Sequence, residues 1–204
     1  METLIGIAFN DFVLVAADRT TAFGVLAVKQ DAEKVVRLDT GLVLGVSGEA
    51  GDTVQFADFV HKNVQLYRMR NGFPLSPASA AHFVRRTLAD ALRSRSAYQV
   101  NCLLAGFDPV AGRPLLFHMD HLAACVPLPY AMHGYASFLS TSILDKWYDP
   151  NASLDQALDL LRRVVRQSHK RLVLNMPAFT VVKVDKEGVT DLPDIRIDAD
   201  SLGL

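Results

Sequence analysis

Two cysteines in 204 residues are too few for a disulfide-stapled scaffold, and Cys102 and Cys125 stand far apart with no Cys-x-x-Cys partner. That leaves neither a redox motif nor a zinc framework, and both read as small buried hydrophobes. Charge of one sign is missing too. The 21 Lys and Arg against 22 Asp and Glu give a formal net charge of -1, which offers no general attraction for nucleic acid or anionic membranes. No secretory signal peptide is expected, because Glu2 sits where a positive n-region belongs and Asp11 interrupts any apolar core. Leu122 to Leu144 carries no formal charge at neutral pH, yet Pro127, Pro129, His133 and Gly134 break it, so a membrane span is not expected. Internal repeats, linkers and low-complexity tracts are absent.

What is present is an ordinary globular composition, 50% hydrophobic and 21% charged. The length fits one domain over 1–204, large enough to bury roughly 70% of the surface of its unfolded chain. Thr3–Phe9 and Phe12–Ala17 read as strands around an Asn10-Asp11 hairpin loop, and Lys34–Leu38 and Leu42–Ser47 as strands around Asp39-Thr40-Gly41. Near Gly48 the period changes to that of a helix. From Asp52 to about Arg70, Phe56, Phe59, Val60, Val64 and Tyr67 share one face, and Asn71-Gly72 is a stop. Ser76-Pro77 opens a second helix carrying Ala80, Val84, Leu88 and Ala91.

Strands return at Tyr98–Phe107 and Leu115–Met119 around an Asp108–Gly112 turn. An irregular proline-containing stretch leads to a short helix over Phe138–Trp147. Ser153-Leu154-Asp155-Gln156 has capping-box form and starts a helix with Leu154, Ala157, Leu158, Leu161, Val165 and Ser168 on one face. A last strand, Ala178–Val184, turns into Val189-Thr190, and the acidic segment 191–204 reads as a partner-contacting tail. Strands, two helices, strands, two helices, strands is an α+β order, satisfied by two antiparallel sheets face to face, each covered by a helix pair.

The local motifs carry little chemistry by themselves. Gly45-Val46-Ser47-Gly48-Glu49 approaches a nucleophile elbow but has Glu49 where the last glycine belongs, and no P-loop lysine follows any glycine. His118-Met119-Asp120-His121 offers two imidazoles and a carboxylate, short of the roughly four convergent ligands of a zinc site. His61, His82, His133 and His169 are scattered. Arg85, Arg86, Arg93 and Arg95 read as a solvated or interface helix face. Asp18 ends a buried strand and Lys34 opens another, and no spacing rule pairs them.

A resemblance does pair them. Val13–Arg19, Glu33-Lys34-Val35, Val46–Asp52 and Gly106-Phe107-Asp108 resemble the β-subunit family of the eukaryotic 20S proteasome. Gly48–Ala57, Lys62–Tyr67, Met69–Gly72 and Ser142–Asp145 resemble its beta type 4 branch. The family implies the four-layer αββα sandwich of N-terminal-nucleophile hydrolases. In active members an amino-terminal threonine attacks the peptide carbonyl, helped by its own amine and a lysine–aspartate pair.

By resemblance Asp18 matches the aspartate, Lys34 the lysine, and Gly48 the glycine whose N–H helps form the oxyanion hole. Glu2 falls opposite the threonine, Tyr135 opposite a supporting serine and Leu172 opposite a supporting aspartate. The chain is therefore expected to be non-catalytic, with no catalytic residue, no propeptide, no cofactor and no metal. Trimming to Thr3 is the alternative, but Thr3 lies about 3.3 Å further along a strand and faces the other way. The implied partners are the other α and β subunits of stacked seven-membered rings, including the chymotrypsin-like β subunit, with a candidate small-molecule pocket at that seam. The implied role is in ATP- and ubiquitin-dependent protein degradation, in cytoplasm and nucleus.

Overall fold

The computed structural model describes residues 2–23, 26–172 and 176–197. The first hairpin, β1 (Leu4–Ala8) and β2 (Phe12–Asp18), turns at Asn10-Asp11, where the Phe9 N–H donates to the Phe12 carbonyl at 2.8 Å. Next come β3 (Thr21–Phe23), an exposed β4 (Leu26–Lys29), β5 (Val35–Asp39) and β6 (Leu42–Gly48). Helix α1 (Ala50–Asn71) stops at Gly72, whose φ of 77° suits a glycine C-cap. Helix α2 (Pro77–Leu92) starts where the Ser76 side chain accepts from the Ser79 N–H.

Strands β7 (Val100–Asp108), β8 (Arg113–Met119), β9 (Cys125–Pro127) and β10 (Tyr130–His133) follow. Helices α3 (Tyr135–Trp147) and α4 (Leu154–Arg171) come next, the latter opened by the reciprocal Ser153–Gln156 capping box. Strands β11 (Ala178–Asp185) and β12 (Gly188–Arg196) end the described chain.

Two five-stranded antiparallel sheets form, in the orders β10-β1-β2-β11-β12 and β5-β6-β7-β8-β9, with β3-β4 a separate ribbon. Three apolar layers hold them. Val13, Val15 and Ala17 of β2 meet Val43, Leu103 and Leu116 between the sheets. Leu14 and Ala16, on the opposite face of β2, pack with Leu144, Leu161 and Val164 of α3 and α4. On the second sheet, Leu44 and Leu104 pack against Phe56, Val60, Val84 and Leu88 of α1 and α2. Each fully buried Leu or Phe contributes about 1.5–3 kcal/mol, so the layers orient the helices more firmly than intrinsic propensity does. This is the αββα sandwich expected from the element order.

Five details differ from the sequence reading. Strands β3, β4, β9 and β10 are three or four residues long, too short to display a period, and β9 is an edge where Pro127 is tolerated. Asp191–Arg196 is no tail but the second half of β12, another edge strand, tied back by Arg19–Asp194 (2.6 Å) and Arg37–Asp191 ion pairs. The rest of the expected tail, 198–204, lies outside the described residues.

Phe59 is 44% exposed and stacks on Phe83, while Thr53 and Ala57 take the inner face of α1. On α4, Leu160 and Val164 join the buried stripe and Leu158 sits only partly buried. Cys102 on β7 is buried, but Cys125 on β9 is only half-buried. Both are paired in register with Met119 of β8, from opposite sides. No described helix is long and apolar enough to cross a membrane.

Candidate functional site

The ends of β2, β5 and β6 converge on Glu2. The two sheets bring Asp18, at the end of β2 in one, beside Lys34, which leads into β5 of the other. Asp18 has no exposed surface and Lys34 only 6%. The Lys34 ammonium donates to Asp18 Oδ2 at 2.9 Å and to the Thr20 carbonyl at 2.7 Å, and lies 3.3 Å from Glu2 Oε1. Three acceptors match the three N–H donors of an ammonium, so Lys34 has no donor left over. Asp18 is equally occupied: Oδ1 accepts from the Thr3 N–H at 2.6 Å, and Oδ2 also accepts from the Thr20 N–H at 3.1 Å.

Glu2 closes the arrangement. Its Oε2 accepts from the Gly48 N–H at 2.8 Å, one residue ahead of Glu49, the N-cap of α1. The positive end of the helix dipole favours an anion there. Gly48 has φ of 145°, and a Cβ on it would lie 2.0 Å from the Gln99 carbonyl oxygen. Only glycine fits while keeping that N–H aimed at Glu2.

The backbone of Glu2 is fixed as tightly, by a residue that motif reading passed over. A Cβ on Gly134, at φ 88°, would fall 1.6 Å from the Glu2 carbonyl oxygen, so the start of α3 abuts the segment that leads into β1. Glycine followed by a helix was the available signal, but it does not say what approaches.

Strand alternation sends the next side chain the other way. Thr3 is 2% exposed, and its Oγ1 lies 3.6 Å from the Met176 sulfur. Beside Glu2 a hollow of about 310 Å³ opens between β5, β6 and α1, walled by Val36, Val46 and Ala57.

The remaining candidates do not join this cluster. Tyr135 is 55% exposed, and Leu172 caps α4 and packs on its apolar layer. Ser47 is buried in β6, so the near-elbow presents no hydroxyl. His118 stacks at 4.1 Å not on His121 but on His133, whose Nε2 donates to the Cys102 carbonyl at 3.0 Å. Burial, then the neighbouring His118, pushes His133 down to about 4, and burial lowers His118 as well. No three His, Cys, Asp or Glu among the described residues are grouped to hold a metal ion. The arginines of α2 are exposed, with Arg86 3.7 Å from Asp90.

The profile described as "Proteasome subunit" matches residues 1–184. This chain belongs to the proteasome subunit family. It is 43% identical over 94% of its length, and 95% of the relative's, to "Probable proteasome subunit beta type-4" of Neurospora crassa. It is 37% identical to "Proteasome subunit beta type-4" of Saccharomyces cerevisiae, covering 96% of this chain and 99% of that one. A rice relative (Oryza sativa subsp. japonica) named "Proteasome subunit beta type-2" is 41% identical, over 94% of this chain and 89% of its own. The chain is a β subunit of the 20S core with the N-terminal-nucleophile hydrolase fold, and its assembly is with other proteasome subunits.

Proposed function

We propose that this chain is a non-catalytic β subunit of the core particle, which builds the ring and the wall of the proteolytic chamber while its neighbours cut. One observation carries the reading: the Glu2 carboxylate takes both the Gly48 N–H (2.8 Å) and a place on the Lys34 ammonium (3.3 Å). An oxyanion-hole donor stabilises a transition state only if it is free to meet the developing charge. A donor already bonded to a fixed carboxylate is not free, and a carboxylate there supplies no hydroxyl nucleophile. Losing the nucleophile of such a unit costs on the order of 10⁶ in kcat.

The alternative, a threonine peptidase exposed by trimming to Thr3, fits the geometry poorly. The Thr3 hydroxyl faces Met176 in the core, and its N–H is committed to Asp18. Within the same reading fall the finer expectations: service in ATP- and ubiquitin-dependent degradation, placement beside the chymotrypsin-like subunit, a small-molecule pocket at that seam, and residence in cytoplasm and nucleus.

The test uses purified core particle. The intact mass of this subunit is measured, and the particle is treated with a threonine-directed covalent probe. A terminus retaining Glu2, with no probe on this subunit, is expected. A mass beginning at Thr3 together with probe attachment to this chain overturns the reading.

A further inference from the structure

At the end of the sandwich remote from Glu2, three turns and the α1–α2 connection enclose a groove of about 550 Å³. Strand β6 runs from Leu42 beside this groove to Gly48 beside Glu2, so the two places lie roughly 20 Å apart at 3.3 Å per residue. We propose that this groove docks a short extended segment of another polypeptide, one that carries a large apolar side chain next to a lysine or arginine.

Three observations point to that occupant. First, the groove is built and rigid. The Thr40 carbonyl accepts from the Val189 N–H at 2.9 Å and the Gly41 carbonyl from the Phe107 N–H at 3.1 Å, so the β5–β6 turn is stitched to its neighbours on both sides. A preformed groove loses little entropy on binding. Second, its apolar surface has no cover among the described residues. Phe73 is 56% exposed, although its ring stands edge-to-face with Tyr67 at a centroid distance of 5.8 Å, and Val110 at the tip of the β7–β8 turn is 96% exposed.

Third, the charge around that apolar surface is negative. Among the described residues, Asp39, Asp108, Asp185 and Glu187 line the groove against Lys186 alone. Arg68 and Lys183 pair with Asp39 and Asp185, which leaves Asp108 and Glu187 facing one lysine. Asp39 is 8% exposed, and its Oδ2 has no hydrogen-bond partner among the described residues. That oxygen has almost no exposed surface, so an incoming ammonium or guanidinium meets the accessible carboxylates of Asp108 and Glu187 instead. An apolar floor with acidic walls selects an apolar–basic segment over an acidic one.

The experiment uses assembled core particle whose active sites have been blocked covalently, so the probe is not consumed. A fluorescein-labelled hexapeptide Ala-Leu-Arg-Phe-Lys-Ala is titrated and followed by anisotropy, with Ala-Leu-Glu-Phe-Glu-Ala as its control. Saturable binding of the basic peptide is expected, weakened about fivefold or more by Glu187→Lys and by Val110→Asp, both on exposed turns that leave the fold intact. The acidic peptide is expected not to bind. The proposal is overturned by absence of saturable binding, by equal binding of the acidic peptide, or by affinity within twofold of wild type in both variants. The last result places the peptide in the chamber instead. None of these outcomes bears on the role of Glu2.

Discussion

The Gly48 N–H donates to the Glu2 carboxylate at 2.8 Å, which ties residue 2 to the turn that launches α1. In Glu2→Ala that amide turns to water, and Lys34 keeps only Asp18 and the Thr20 carbonyl. The loss is expected to be about 1–2 kcal/mol, the scale of one charge-assisted hydrogen bond. Hydrogen exchange at the Gly48 amide checks it. Exchange at least tenfold faster than in the wild type is expected, and an unchanged rate means the bond does not hold the amide.

Asp18 should be less forgiving. Replacing it by asparagine leaves Lys34 in a buried setting without its nearest anion, and breaking one side of a buried pair typically costs about 3–5 kcal/mol. The double variant Asp18→Asn, Lys34→Met removes both charges and is expected to cost less than the sum of the single variants. Denaturant unfolding of the four proteins completes the cycle.

Two glycines make a matched comparison. Gly48→Ala drives a Cβ to within 2.0 Å of a carbonyl oxygen, whereas Gly72→Ala, also at positive φ, meets nothing within 4 Å. Gly72→Ala is expected to cost about 1 kcal/mol, the strain of a left-handed alanine alone. Gly48→Ala must also shift backbone, and is expected to prevent incorporation of the subunit into core particles, read by native gel and mass spectrometry.

Acid should loosen the junction of β7, β8 and β10. His133 is held neutral when folded, down at about 4 against an ordinary 6.5, chiefly by burial and then by His118. The unfolded chain therefore takes up the proton first. Its contribution is fully present above pH 6.5 and is lost as pH falls from there towards 4. The span corresponds to about 3 kcal/mol. The titratable groups acting on it are His118 on β8 and Asp120 just after that strand, and Asp120 opposes the shift. Hydrogen exchange of β7 and β10 across that pH range is expected to accelerate on acidification, less steeply in His133→Gln.

The sandwich was legible because its long elements announce themselves. The Ser153–Gln156 capping box, the Gly72 stop and the fully buried run of β2 each have a local cause written in adjacent residues. The ribbon β3-β4 and the β9 and β10 strands have none, since their partners decide them. The site divides in the same manner. Asp18 and Lys34 lie 16 residues apart in sequence and lead into different sheets, so only the packing of sheet on sheet, or likeness to a family, joins them. That Glu2 reaches both Gly48 and Lys34 depends on the exact course of the chain before β1, which Gly134 fixes from a distant part of the sequence.

Met119 stands between the two cysteines, one strand away from each. At about 4.8 Å per strand, Cys102 and Cys125 are separated by roughly twice the strand spacing, beyond the ~7 Å within which two Cα atoms can be bridged. An oxidant meeting the folded subunit can therefore reach the half-buried Cys125 thiol but cannot join it to Cys102. A bridge between them would report that the sheet had already come apart, which makes the pair a built-in marker for chains that never finished folding.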